Sequence, residues 1–158
     1  MKKQVNNFNQ LRGVIPPMVT PLKDGERLDV EGLAHLVEHI LAGGVHGLFL
    51  LGTTGEAPDL PYELRRELVR RVCAQVNGRV PVLVGVTDTV FVESVRFASF
   101  AKDHGAAAVV AAPPYYFAAG QPELVAYYTH LADALPLPLF LYNMPSQVKV
   151  MIDVKTVV

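Results

Sequence analysis

Short apolar runs alternate with longer amphipathic stretches along this chain, and the alternation repeats with a steady beat. Gly13 to Val19 is a β-rich run broken by Pro16 and Pro17, and a turn from Pro21 to Gly25 follows. Asp29 stands where a helix N-cap belongs, and Val30, Leu33, Val37, Ile40 and Leu41 then recur at helical spacing until Gly43-Gly44. His46 to Leu51 is an apolar strand. Pro61 to Val76 predicts a second helix, with Leu64, Leu68, Val72 and Val76 in one stripe and a proline suited to the first turn. Asn77-Gly78 stops it. Pro81 to Val86 is a third strand, and Thr87 or Asp88 can cap a third helix running to about His104 and closed by Gly105. Ala106 to Ala112 is a fourth strand, Gln121 to Ala134 a fourth helix and Pro138 to Tyr142 a fifth strand. Asn143 to Val158 reads as a loop with the first turn of another helix after Asp153.

The strands are apolar throughout rather than alternating, so both of their faces are buried, as in a parallel sheet covered by helices. Alternating β and α units of this kind leave two architectures, a doubly wound sheet or a (β/α)₈ barrel. A barrel typically takes about 250 residues. The chain has 158 and stops after its fifth strand, so a barrel would be incomplete. Residues 1–12 form a polar tail, and residues 13–158 one globular α/β unit whose core is fed by a 51% hydrophobic composition.

Charge removes several classes of partner. The net charge of −1 gives no electrostatic argument for nucleic acid or an anionic membrane. Arg65, Arg66, Arg70 and Arg71 do cluster, but they share a predicted helix with Glu63 and Glu67, and Glu67 precedes Arg71 by four residues. A solvated helix face accounts for them. The lone Cys73 excludes an internal disulfide, fits a reducing compartment and falls among apolar helix positions, where a buried, inert thiol is expected. Met1-Lys2-Lys3 is followed by polar residues with no apolar signal core, and no run approaches membrane-spanning length. The expected location is cytoplasmic.

Candidate chemistry collects at the carboxyl ends of the strands, where barrels and open parallel sheets bind ligands. The second strand delivers Gly52-Thr53-Thr54-Gly55-Glu56, whose glycines, hydroxyls and backbone N–H groups suit a carboxylate or phosphate. The fourth delivers Tyr115 and Tyr116, and the fifth delivers Tyr142 followed by Asn143. Hydroxyls and phenols on one rim can relay protons to a carbonyl oxygen while the glycine turn holds an anion. Taken singly, each tyrosine has an ordinary capping or packing role as its alternative. Glu56 reads as structural, an acceptor ordering the turn.

In combination these residues are more specific. Thr20-Pro21, Gly-Thr-Thr-Gly-Glu, Pro-Tyr-Tyr and Tyr-Asn-x-Pro after strands one, two, four and five resemble the dihydrodipicolinate synthase/N-acetylneuraminate lyase family. The resemblance runs from Gly13 onward with the motifs in order. It implies the N-terminal part, about five strands, of a (β/α)₈ barrel, and a class I pyruvate-dependent lyase or aldolase without cofactor or metal. It implies that Thr53 and Thr54 bind the carboxylate of pyruvate or another small 2-keto acid, and that Tyr142 is the general acid/base. Tyr116 would be lent across a tight dimer interface to complete a relay with Thr53 and Tyr142. A homo-oligomer of the family's tetramer-from-dimers type is therefore implied, with no nucleic-acid or membrane partner.

The family's chemistry also needs a lysine amine to form an imine with the ketone, from a Gly-[Ile/Leu]-Lys-Asp setting at the end of the sixth strand. Lys2, Lys3, Lys23, Lys102, Lys149 and Lys155 all lie elsewhere; Leu22-Lys23-Asp24 mimics the letters from a turn after strand one. The chain therefore resembles the front portion of such an enzyme, and alone it is expected not to turn over substrate. Open edges and uncovered apolar faces predict self-association, aggregation or dependence on a second polypeptide. Gln147 occupies the place where dihydrodipicolinate synthases usually carry an arginine, and Phe117-Ala118-Ala119 replaces that subfamily's usual continuation. Ser146-Gln147 does not match the sialic acid lyases either, so the aldehyde partner is open. Other readings are a phosphosugar-binding barrel fragment, a zinc site using His35 and His39, and a non-catalytic half-barrel serving as an interaction module. The first lacks the loops after strands seven and eight, and the second pair sits with Glu38 on the polar helix face.

Overall fold

The turn expected at Pro21 to Gly25 folds into a small antiparallel hairpin, β1 (Leu22–Lys23) and β2 (Arg27–Leu28), with Leu22 opposite Leu28. Asp24 and Gly25 reverse the chain with φ of 56° and 73°, values that aspartate and glycine tolerate best. Asp29 then caps α1 (Val30–Ala42) as expected, its Oδ1 accepting from Gly32 N at 3.1 Å and pairing with Lys23 Nζ at 3.4 Å. Lys23 is thus ion-paired at the start of α1. The computed structural model describes residues 11–158, so the tail assigned to residues 1–12 lies almost wholly outside the described residues.

The β/α alternation follows: β3 (Leu48–Leu50), α2 (Tyr62–Val76), β4 (Val82–Gly85), α3 (Phe91–Asp103), β5 (Ala108–Ala111), α4 (Gln121–Ala134) and β6 (Leu139–Leu141). Two further short helices, α5 (Pro145–Val148) and α6 (Val154–Val157), fill the segment expected to be mostly loop. Strands β3 to β6 pair in parallel and in chain order, each next strand one β/α unit on. Gly13 to Val19 lies beside β3, with Phe49 N donating to Pro16 O at 3.0 Å and Met18 N to Phe49 O at 2.8 Å. Pro16 and Pro17 supply no N–H, so this strand shrinks to a single bridge at Pro17 and Phe49.

Alternation along the strands separates two faces. Leu48, Leu50, Val82, Val84, Val109 and Ala111 join helix residues such as Leu33, Val37, Leu68, Val72, Leu124 and Leu131 in the main core. Leu83, Ala108 and Val110 form a second cluster with Phe49, Phe140 and Tyr142, and no helix residue enters it. Helices therefore cover one face only. That is the arrangement of a barrel wall and not of a doubly wound sheet, which carries helices on both faces. β5 is buried along its whole length, whereas every residue of β6, an edge strand, is only half-buried.

Two local expectations change. α3 begins at Phe91 with Val90 as its N-cap. Asp88 Oδ1 instead accepts from Val90 N at 2.8 Å, and Thr87 Oγ1 accepts from Ala112 N at 2.9 Å, tying β4 to the end of β5. Arg71 pairs with Glu67 at 2.8 Å on the helix surface as its spacing predicts, but Arg65 does not share that solvated face. Its side chain is 13% exposed, with Nε donating to Leu60 O at 2.8 Å and the guanidinium over the Tyr62 ring. Helices α1 and α2 are clamped by Glu38, whose carboxylate receives Arg79 Nη1 and Nη2 at 2.8 and 2.6 Å and Gln75 Nε2 at 2.8 Å.

Candidate active site

The chain leaves β3 through a kink. Leu51 takes φ of 59° while only 4% exposed, an unusual left-handed conformation for a buried leucine. Its carbonyl lies against Gly85 of β4, where an added Cβ would sit 2.1 Å from Leu51 O. Gly85 therefore admits the kink because it has no side chain. A 3₁₀ turn over Thr53–Gly55 follows, with Gly55 N donating to Gly52 O and Glu56 N to Thr53 O, both at 3.1 Å. Thr20 Oγ1 donates to Gly55 O at 2.8 Å from a buried position, which fastens the turn to the segment after the first strand. Glu56 orders the turn through its left-handed backbone, φ 53°, and its carboxylate makes no capping hydrogen bond. The side-chain role expected of it is not observed.

Beside this turn, at the carboxyl ends of β3, β4, β5 and β6, lies a cavity of about 240 Å³. Thr53 and Tyr142 both line it, with Thr53 Oγ1 3.4 Å from Tyr142 Oη. Phe49 packs edge-on against Tyr142, ring centroids 6.0 Å apart, so an apolar wall backs the phenol. Thr54 does not line the cavity. Tyr115 lines it, whereas Tyr116 is 77% exposed and packs edge-to-face on Phe117, itself 80% exposed. Of the residues expected to act, the fold brings Thr53 and Tyr142 together within this chain and leaves Thr54 and Tyr116 outside the cavity.

Asn143 has a role that its neighbour overshadowed in the sequence. Its Nδ2 donates to Ile152 O at 3.1 Å and its Oδ1 accepts from Ile152 N at 3.0 Å. This two-bond clamp closes the loop that carries α5 and puts Met144, Gln147 and Val148 on the cavity wall. A second overlooked group stands behind the other wall. Tyr62 Oη donates to buried Asp88, and this bond, before desolvation, pushes the phenol up to about 12. Arg65, beside both, holds the Leu60 carbonyl and so steadies the Ala57–Asp59 turn that borders the cavity. The Pro61-Tyr62 helix start was the available signal.

The charged residues lining the cavity are Glu56 and Asp59, and among the described residues no lysine, arginine or histidine lines it. No group of three or more histidine, cysteine, aspartate or glutamate side chains is arranged to hold a metal among the described residues; His35 and His39 are both exposed. Cys73 is buried, and desolvation pushes its thiol up to about 11. No helix is long and apolar enough to cross a membrane among the described residues.

The model of the dihydrodipicolinate synthetase family matches residues 10–158. The chain belongs to that family. Among family relatives, it is 42% identical over 147 residues to a 4-hydroxy-tetrahydrodipicolinate synthase of Thermus thermophilus, covering 92% of this chain and 49% of the relative. The corresponding enzyme of Methanocaldococcus jannaschii is 37% identical over 146 residues, with coverages of 92% and 50%. The dihydrodipicolinate synthase structure from Bacteroides thetaiotaomicron superposes with a TM-score of 0.87 at 60% identity, covering 92% of this chain and 49% of that one. A pyruvate complex of YagE, a family protein from E. coli K12, gives a TM-score of 0.83 at 36% identity, with coverages of 87% and 46%. This family member spans about half the length of the relatives it matches, and its fold is the N-terminal part of their (β/α)₈ barrel.

Proposed function

We propose that this chain supplies the keto-acid-holding and proton-relaying part of a Schiff-base-forming, pyruvate-dependent lyase or aldolase. The observation that carries the reading is the approach of Thr53 Oγ1 and Tyr142 Oη to 3.4 Å across one cavity at the strand ends. Thr53 holds the carboxylate of pyruvate or a similar 2-keto acid with its hydroxyl, and Thr54, whose side chain lies outside the cavity, contributes its backbone N–H. Tyr142 exchanges a proton with the ketone-derived oxygen through Thr53. Tyr116 completes the relay from a second copy, a role supported by its exposure on a projecting loop. Residues 13–158 act as one partial-barrel unit, and Leu11, which precedes it, packs against its second apolar cluster.

Among the described residues no imine-forming lysine lines the cavity: Lys23, Lys102, Lys149 and Lys155 all lie outside it. The chain alone therefore binds but does not turn over. An NMR titration with pyruvate tests the first half of this statement: shifts at Thr53 and Tyr142 that vanish in Thr53→Val are expected, and their absence rejects the carboxylate assignment. Pyruvate with borohydride tests the second. No adduct should form, and a stable adduct found by mass spectrometry would overturn it.

A further inference from the structure

Two side-chain amides from different elements hold the same short stretch of chain. Gln121 opens α4, directly after the loop that carries Tyr115 and Tyr116. Its Nε2 donates to Met151 O at 2.8 Å, and its Oε1 accepts from Asp153 N at 3.1 Å and from the Thr156 hydroxyl. Between Met151 and Asp153 lies Ile152, buried in the main core, whose N–H and carbonyl are both taken by Asn143. Asn143 is the residue next to Tyr142. The orientation of each amide is dictated, because a backbone carbonyl only accepts and a backbone N–H only donates. Turning either amide over would set like groups against each other.

A run of hydrogen bonds therefore leads from the start of α4, through residues 151–153, to the backbone that carries the Tyr142 phenol. At that end the tolerance is small. Tyr142 Oη stands 3.4 Å from Thr53 Oγ1, and its ring lies edge-on against Phe49. At the outer limit of a hydrogen bond, a further shift of about 0.5 Å would part the two hydroxyls. Gln121 itself does not line the cavity.

We infer that Gln121 is a positioning residue for Tyr142. Acting through residues 151–153 and Asn143, it sets where the phenol stands relative to Thr53 and never touches the ligand. The consequence for pyruvate rests on the function proposed above; the placement of the phenol does not.

NMR of the whole chain reads the two apart, through the Tyr142 ring resonances and through pyruvate affinity. Gln121→Ala should move the ring resonances and weaken pyruvate about five-fold, since misplacement at a reacting group is costly. Gln121→Glu keeps the acceptor toward Asp153 N and Thr156 but cannot donate to Met151 O, and should bring the loss back to about two-fold. Gln75→Ala is the control. It removes an amide that donates to Ala34 O at 2.9 Å and to Glu38 at 2.8 Å, where α1 meets α2. It should leave both readouts unmoved even where it lowers stability as much. If Gln121→Ala does not fold, Thr156→Val, which removes a single bond to Gln121, should move the ring resonances in the same direction but less. Unmoved ring resonances in a folded Gln121 or Thr156 variant overturn the inference, as does an equal movement in Gln75→Ala. If pyruvate fails to bind the unaltered chain, the keto-acid reading falls alone. Ring resonances that move with Gln121→Ala and not with Gln75→Ala uphold the positioning role in either case.

Discussion

The rims after β3 and after β5 look alike as sequence, each a strand ending in hydroxyl-bearing residues between glycine or proline, and they are built in opposite ways. After β3, the chain is held both by distant residues and by its own backbone. Thr20 grips Gly55 O, Gly85 makes room for the Leu51 carbonyl, and successive backbone bonds close the turn. After β5, Tyr116 and Phe117 project 77% and 80% exposed and meet chiefly each other. The first rim is complete within one chain. The second presents aromatic surface whose burial would require another molecule. Pre-organised geometry for a ligand and adhesive surface for a partner therefore sit at the same end of one sheet, on strands separated only by β4.

The contrast breaks most severely at Gly85. Gly85→Ala would drive a methyl group into the Leu51 carbonyl and should cost about 3 kcal/mol or more of unfolding free energy, read from a urea titration. Pyruvate-induced shifts at Thr53 should weaken along with it. Thr20→Val comes next: it keeps the shape, removes the donor to a buried carbonyl, and should cost about 1–2 kcal/mol in the same titration. A loss of Thr53 shifts without any loss of stability would show that Thr20 acts on the ligand and not on the turn. By contrast, Tyr116→Ala with Phe117→Ala should alter folding stability by no more than about 0.5 kcal/mol. Its effect belongs to association, read as a fall in apparent mass by sedimentation; unchanged mass would remove the adhesive role of that rim.

The smallest effect expected is a pH response remote from both rims. The Arg79 guanidinium first, then the Gln75 amide, holds the Glu38 carboxyl down to about 2, well under its ordinary 4.5. A folded value below the unfolded one means that the α1–α2 clamp contributes fully above about pH 4.5 and fades as pH falls toward about 2. Since Glu38 is about half exposed, with 51% of its side chain accessible, salt should screen the contribution, and Glu38→Gln should flatten that part of the acid-denaturation profile.

How much of this was legible varies by element for identifiable reasons. The apolar strands, the Asp29 cap and the stripe Leu64, Leu68, Val72, Val76 were readable because period and capping are local properties. The first strand was readable as composition but not as pairing, because the prolines that mark it also remove its donors. Arg65 was misplaced because helical spacing says which residues share a face and not what lies across from it; its partners Leu60 O and Asp88 come from loops. Thr53 and Tyr142 are both legible in the motifs, yet 89 residues of sequence separate them, and only strand register sets their hydroxyls 3.4 Å apart. Thr54 and Tyr116 are legible on the same grounds, and the same register leaves them outside the cavity.

The sequence by itself determined the alternation of elements, their caps and the kinds of residue that end each strand, since these follow from neighbours a few positions away. Tertiary structure alone decided which face of the sheet the helices cover, which of two adjacent threonines and two adjacent tyrosines meets the cavity, and that Gly85 is the residue permitting the kink. Those outcomes depend on side chains and carbonyls from different strands converging, and only the pairing of β3 through β6 brings them within reach of one another.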